Sequence, residues 1–184
     1  MWVDTGGWDG NIKKDLPEGA WLLPDPMFRT LPPPPIKYVV GFMFSKSAQR
    51  VVLIEKNRPD WQKRKLNGVG GKIELTDISP EAAMQREFYE ETGIAYSAWD
   101  RFATLRGKHA TVYVFKAFSD LAQYAQTKTD EEVGRYWVDE LPEQVLPNLK
   151  FLIPLALTPG YEHTNFYFTE ETDGKAQRSD SGTN

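Results

Sequence analysis

Residues 66–94 read LNGVGGKIELTDISPEAAMQREFYEETGI and hold the deciding pattern: a glycine turn, a four-residue join, and a dense acidic helix. Ser79 followed by Pro80 predicts an N-cap and a first turn, because the serine hydroxyl accepts an orphan N–H and proline has none to satisfy. Gly93 supplies the left-handed residue that closes such a helix. Met84 and Phe88, four apart and beside Ala83, give it an apolar stripe. Glu87, Glu90 and Glu91 stand at i, i+3 and i+4, so three carboxylates crowd one face. Like charges at that spacing destabilise a lone helix unless a cation neutralises them. Arg86, four residues before Glu90, offsets only part of the repulsion. The face reads either as a solvated acidic surface or as a metal site.

The preceding glycines favour the second reading. Gly70 and Gly71 have no Cβ, so their carbonyls can approach a cation closely. Carboxylates, carbonyls and waters suit Mg2+, and the absence of imidazole and thiolate at this site disfavours zinc or copper.

The rest of the chain sets bounds. Its 184 residues suit one domain with trimmings, and 13% aromatic content can fill a core. A net charge of −4 argues against coating DNA or RNA by bulk electrostatics. With no cysteine, zinc-thiolate sites and cysteine nucleophiles are excluded. No apolar run is long enough to span a membrane, and the N-terminus lacks the basic start and apolar core of a signal peptide. A cytoplasmic protein is the expectation.

Residues 1–35 are rich in tryptophan and end in four prolines, Pro32 to Pro35, which favour an extended polyproline segment. They read as an irregular extension, with a proline-ligand role for a partner as the sharper alternative and a homodimer or other partner contact through it left open. Residues 36–45 and 50–56 are apolar, β-branched or aromatic runs separated by KSAQ and predict a hairpin. Residues 57–68 read as a polar loop. Further strands are expected at 101–107, 111–118 and 134–141. A helix is expected at 149–157, kinked or shortened by Pro154. The polar tail from 171 is expected to be disordered. This order of elements predicts an α+β fold, with helices packed on a mixed sheet.

With its fixed positions in view, the acidic segment resembles the signature of the Nudix hydrolases, G-x5-E-x7-R-E-U-x-E-E-x-G-U, where U is a bulky apolar residue. Arg86, Glu87, Phe88, Glu90, Glu91, Gly93 and Ile94 fill its second half, and GVGGKIE matches the setting of its glycine. The flanking strands extend the resemblance over residues 36–157. The resemblance implies an α/β/α sandwich over residues 36–170. It also implies Mg2+-dependent cleavage of a pyrophosphate bond in a nucleotide derivative, with Mn2+ as a substitute. There is one departure. Counted from Gly71, the first acidic position falls on Asp77, an aspartate in place of glutamate, and eight residues rather than seven separate it from Arg86. The insertion is expected to bulge outward and reshape the loop, with little direct contribution from Asp77.

By that resemblance Glu90 and Glu91 are metal ligands with the carbonyl of Gly70. Glu87 is a shared ligand or general base, and Arg86 orients the glutamates. A distal carboxylate is expected from Asp130, Glu131 or Glu132, with Glu131 preferred. Lys56, Gly71 and Lys72 are expected to meet the phosphates. Asn67 matches an asparagine that contacts the base in the branch acting on oxidised purine nucleoside triphosphates, although a turn asparagine in an NG pair is an equal alternative. Asn148 is the expected second base contact, with Leu146 and Phe151 as packing surface. Phe42 and Phe44 are either an aromatic wall or core. Competing branches act on ADP-ribose, other nucleotide sugars or dinucleoside polyphosphates. Residues 108–113, KHATVY, lack the proline of the first, and Tyr113 is poorly placed for the last. A catalytically silent nucleotide-binding module is the remaining alternative. The partner expected is a small nucleotide, with no nucleic-acid duplex and no membrane.

Overall fold

The computed structural model describes residues 34–160 and 163–167. The readings for the bulk of the 1–35 extension and for the tail from 171 lie outside the described residues. Among the described residues seven strands form one mixed sheet: β1 (Ile36–Phe44), β2 (Arg50–Lys56), β3 (Lys65–Asn67), β4 (Asp100–Arg106), β5 (Ala110–Phe118), β6 (Val133–Trp137) and β7 (Thr164–Tyr167). The helices are α1 (Pro80–Thr92) and α2 (Leu149–Leu157). The strand order is β3-β2-β1-β5-β4-β7, with β6 also paired to β2.

β1 and β5 run parallel in unbroken register from Ile36↔Ala110 to Phe44↔Phe118. Their continuous apolar character follows from burial on both faces. Side chains alternate between two cores. Phe42, Phe44, Val51, Leu53 and Val114 face the layer of α2, beside Leu149 and Leu152. Val39, Met43, Val52, Ile54 and Phe115 face that of α1, beside Met84 and Phe88. The result is the expected α/β/α sandwich, and Phe42 and Phe44 are core rather than an aromatic wall.

α1 begins and ends where its sequence predicts. Ser79 Oγ accepts from Ala82 N at 3.1 Å, and Gly93 adopts φ 76° while its N–H donates to Tyr89 O. α2 runs through Pro154 without interruption, so the expected shortening does not occur. The loop at 57–68 is more structured than its polarity suggests. It holds a 3-10 turn at Asp60–Gln62 and then β3, which pairs with the end of β2. The strand expected at 134–141 stops at Trp137. β7, at the far edge on β4, is short and half-exposed, and so carries no strong hydrophobic pattern. Among the described residues no helix is long and apolar enough to cross a membrane.

Candidate active site

The glycine turn is fixed by the strand beside it. Gly41 N donates to Val69 O and Val39 N to Gly71 O, which lays residues 69–71 along β1. Gly70, between them, has φ +151°, and a Cβ there would lie 2.2 Å from Val39 O. Only glycine fits that position. The Gly70 N–H donates to Glu91 Oε2 at 3.0 Å. No backbone N–H among the described residues is paired with the Gly70 carbonyl. At Gly71 a Cβ would meet Glu87 Oε1 at 2.6 Å, so the missing side chain makes room for a carboxylate.

Arg86 is the hub of the acidic face. Its Nε donates to Asp77 Oδ1 at 3.0 Å and its Nη2 to Asp77 Oδ2 at 2.8 Å, a bidentate pair. Nη2 also donates to Lys72 O at 3.2 Å. Nη1 reaches Glu87 Oε1 at 3.1 Å and Glu90 Oε2 at 3.0 Å. Every N–H of the guanidinium therefore has an acceptor. Contact with Asp77 raises the Arg86 pKa further above its ordinary value. The same contact lowers that of Asp77.

The join resolves into two parts. Leu75 and Ile78 project fully into solvent, as an outward bulge requires. Asp77 turns inward instead, with its side chain only 5% exposed against Arg86. Its contact is with Arg86, a partner that the sequence reading does not assign to it. The lengthened loop still delivers a carboxylate to the hub.

A second cation, Lys56, stands at the Glu91 end of the same acidic face. Lys56 Nζ pairs with Glu131 and lies 3.8 Å from Glu91 Oε1. Glu131 Oε1 also accepts from Asn57 N at 2.8 Å, and its residue is buried. Thus Glu131, of the three acidic residues at 130–132, is the one brought to the site. Burial pushes the Glu91 carboxyl up to about 7, against the opposing pull of Lys56 and of the Gly70 N–H. Burial raises Glu87 as well, with Arg86 opposing it.

Among the described residues no three acidic or imidazole side chains converge into a ready metal cage. Lys56 and Arg86 hold the carboxylates in separate pairs. The donor set nevertheless fits a hard divalent cation: partly desolvated carboxylates of Glu87 and Glu91, the more exposed Glu90, and the Gly70 carbonyl next to them.

The two asparagines are positioned less decisively. Asn67 Oδ1 accepts from Gly68 N at 2.8 Å, as a turn asparagine would, and its Nδ2 donates to Gln62 Oε1 at 3.2 Å. Gln62 was not singled out from sequence, because a glutamine in a polar loop carries no pattern. Leu66 N donates to Gln144 O and Leu146 N to Leu66 O. This ladder brings the segment carrying Asn148 alongside the one carrying Asn67. Asn148 is the N-cap of α2 and makes no side-chain capping bond. Leu146 is buried in the core, while Phe151 is 40% exposed and meets Phe166. Lys72 is exposed, and its backbone rather than its side chain serves Arg86.

The NUDIX domain family model matches residues 35–153. The chain belongs to the Nudix family. It is a Nudix hydrolase, and membership implies hydrolysis of a pyrophosphate bond in nucleoside diphosphate derivatives. No protein of curated function matches the sequence. Solved structures of Nudix proteins share the fold. A MutT structure from work on Aliivibrio salmonicida and Vibrio cholerae is 22% identical with a TM-score of 0.55, over 67% of this chain and 94% of that one. The MutT Nudix hydrolase of Burkholderia pseudomallei is 20% identical with a TM-score of 0.56, over 68% and 99%. An ADP-ribose pyrophosphatase of Streptococcus suis is 18% identical with a TM-score of 0.54, over 72% and 99%. These likenesses establish the fold. A structure named for ADP-ribose and two named only as MutT lie at similar structural distance, so the Nudix fold alone does not choose a substrate.

Proposed function

We propose that this Nudix hydrolase cleaves a purine nucleoside triphosphate, of the oxidised class, to the monophosphate and pyrophosphate in a reaction that requires Mg2+ and accepts Mn2+. The observation that carries the reading is the Arg86 hub, which aims Glu87 and Glu90 while Gly70 holds Glu91. Glu87, Glu90, Glu91, Glu131 and the Gly70 carbonyl are the groups that would hold the metal. When bound, the metal neutralises phosphate oxygens and lowers the pKa of a coordinated water. Glu87, lying over the bare Cα of Gly71, can orient the attacking water or take its proton. Lys56 carries a positive charge at the edge of the cluster, where phosphate oxygens would meet it, and Gly71 and Lys72 line the approach. Asn67, held by Gly68 and Gln62, has a second amide N–H with no partner among the described residues that could serve a base, and Asn148 offers a second carboxamide. The composition that suggests a cytoplasmic setting is consistent with a nucleotide substrate.

A nucleotide-sugar substrate is the second reading, supported by the equal likeness to the ADP-ribose pyrophosphatase of Streptococcus suis. A silent binding module is disfavoured because each signature carboxylate of the helix is present. A nucleotide panel with Mg2+, assayed for pyrophosphate and orthophosphate beside Glu90→Gln, tests the proposal. Pyrophosphate release from an oxidised purine triphosphate, lost in Glu90→Gln, is expected. Faster turnover of ADP-ribose would transfer the assignment to the second reading, and tight binding without turnover would favour the silent module.

A further inference from the structure

The join at 74–79 is closed on itself. Asp77 N donates to Glu74 O at 3.1 Å, and Glu74 N donates to Asp77 Oδ2 at 2.8 Å. Leu75 and Ile78 on either side of Asp77 point into solvent and pack on nothing that would fix the loop. The turn is thus organised around the Asp77 carboxylate, whose two oxygens face the Nε and Nη2 edge of Arg86. Two departures from the family signature meet here. The side chain is one methylene shorter than glutamate, and the chain between residue 77 and Arg86 is one residue longer. A shorter side chain needs the backbone to come closer to Arg86, and the added residue provides the length to do so. A bidentate fork tolerates little displacement, because both N–H···O bonds must stay aligned.

We propose that these two departures are a matched pair, and that Asp77 is a positioning residue which aims Arg86 and, through it, Glu87 and Glu90. The inference rests on the site assignment above but not on which nucleotide is cleaved. The added residue is assigned to Ile78. It is fully exposed, so its removal restores the signature spacing without opening a cavity.

Five forms of the full-length protein test this: wild type, Asp77→Asn, Asp77→Glu, deletion of Ile78, and the last two combined. Ile78→Ser serves as a control for the loss of the side chain alone. Three readouts are taken: the NMR signal of the Arg86 Nε–H, the affinity for Mn2+ alone by electron paramagnetic resonance, and kcat and KM on the nucleotide the panel selects. Asp77→Asn is expected to move the Arg86 signal and to lower Mn2+ affinity and kcat by about 10- to 100-fold, with KM little changed. Asp77→Glu and the Ile78 deletion should each do the same, and the combined form should recover all three. A combined form no better than the worse single change would overturn the matched pair. An unmoved Arg86 signal and unchanged Mn2+ affinity in Asp77→Asn would overturn the positioning role. Should Asp77→Asn not fold, the combined form and its two parents still decide, by recovery or its absence. The Arg86 signal needs neither metal nor substrate. A wild type that binds no Mn2+ and hydrolyses nothing would therefore defeat the metal-hydrolase reading while leaving this one measurable.

Discussion

Lys56 and Glu131, 75 residues apart in sequence, form an ion pair whose side chains are only 14% and 5% exposed. Removing one partner of a buried pair leaves the other charged and unsolvated, at a cost of about 3–5 kcal/mol. Lys56→Met should therefore lower the unfolding free energy by an amount near the lower end of that range. Glu91, raised by burial, would lose the opposing pull of Lys56, so its protonated form would be favoured further in the folded state. The deficit should shrink as pH falls, and denaturant midpoints between pH 5 and 8 check this.

Glu91 makes a separate contribution to the pH dependence. Its carboxyl is raised from an ordinary 4.5 to about 7, chiefly by burial. An acid with a raised folded-state pKa binds its proton more tightly folded than unfolded. Its contribution to stability is thus full below about 4.5 and is lost as pH rises through about 7, a loss of roughly 3 kcal/mol. In chelator-treated protein the melting temperature should fall over that window, and Glu91→Gln should flatten the fall. Binding of a divalent cation should release protons in the same window, as calorimetry in buffers of different ionisation heat would show.

The two adjacent glycines should fail in different ways. Gly70→Ala places a Cβ against the backbone oxygen of Val39 at a φ that alanine rarely adopts. Strain of about 1–3 kcal/mol plus the overlap should destabilise the fold outright. Gly71→Ala meets the movable end of Glu87 instead. It should melt close to wild type yet lose about 100-fold in kcat, because a carboxylate displaced by about 1 Å is enough to misplace the chemistry. Thermal melts and single-substrate kinetics on the two variants distinguish the outcomes.

Pro154 sits exposed inside α2 and cannot donate to the carbonyl four residues back. Pro154→Ala restores that donor and should stabilise the protein by up to about 3 kcal/mol, read as a higher melting temperature with unchanged kinetics.

Much of this was legible in sequence, and for identifiable reasons. α1 carries its boundaries in side chains that act locally: Ser79 and Pro80 at one end, Gly93 at the other. The Arg86–Glu90 contact follows from helical spacing alone. Asp77 could not be read in this way. Its partner lies nine positions away across a loop whose shape depends on a turn closed by its own carboxylate. Glu131 could be narrowed only to an acidic run, because its distinction from Asp130 and Glu132 is a tertiary matter of which side chain meets Lys56. β3 escaped because it owes its extended form to β2 and to the 144–146 segment, not to any apolar alternation of its own.

The loop bearing Glu131 is stitched to the end of α1, since Gln126 N donates to Thr92 O and Lys128 N to Glu91 O. Its other flank is held where Val133 pairs with Ile54. Chain length should therefore be unequally negotiable around the site. The solvent-facing turn before α1 has already absorbed an extra residue. The span from Lys128 to Val133 is moored at both ends, and one residue gained or lost there would carry Glu131 away from Lys56.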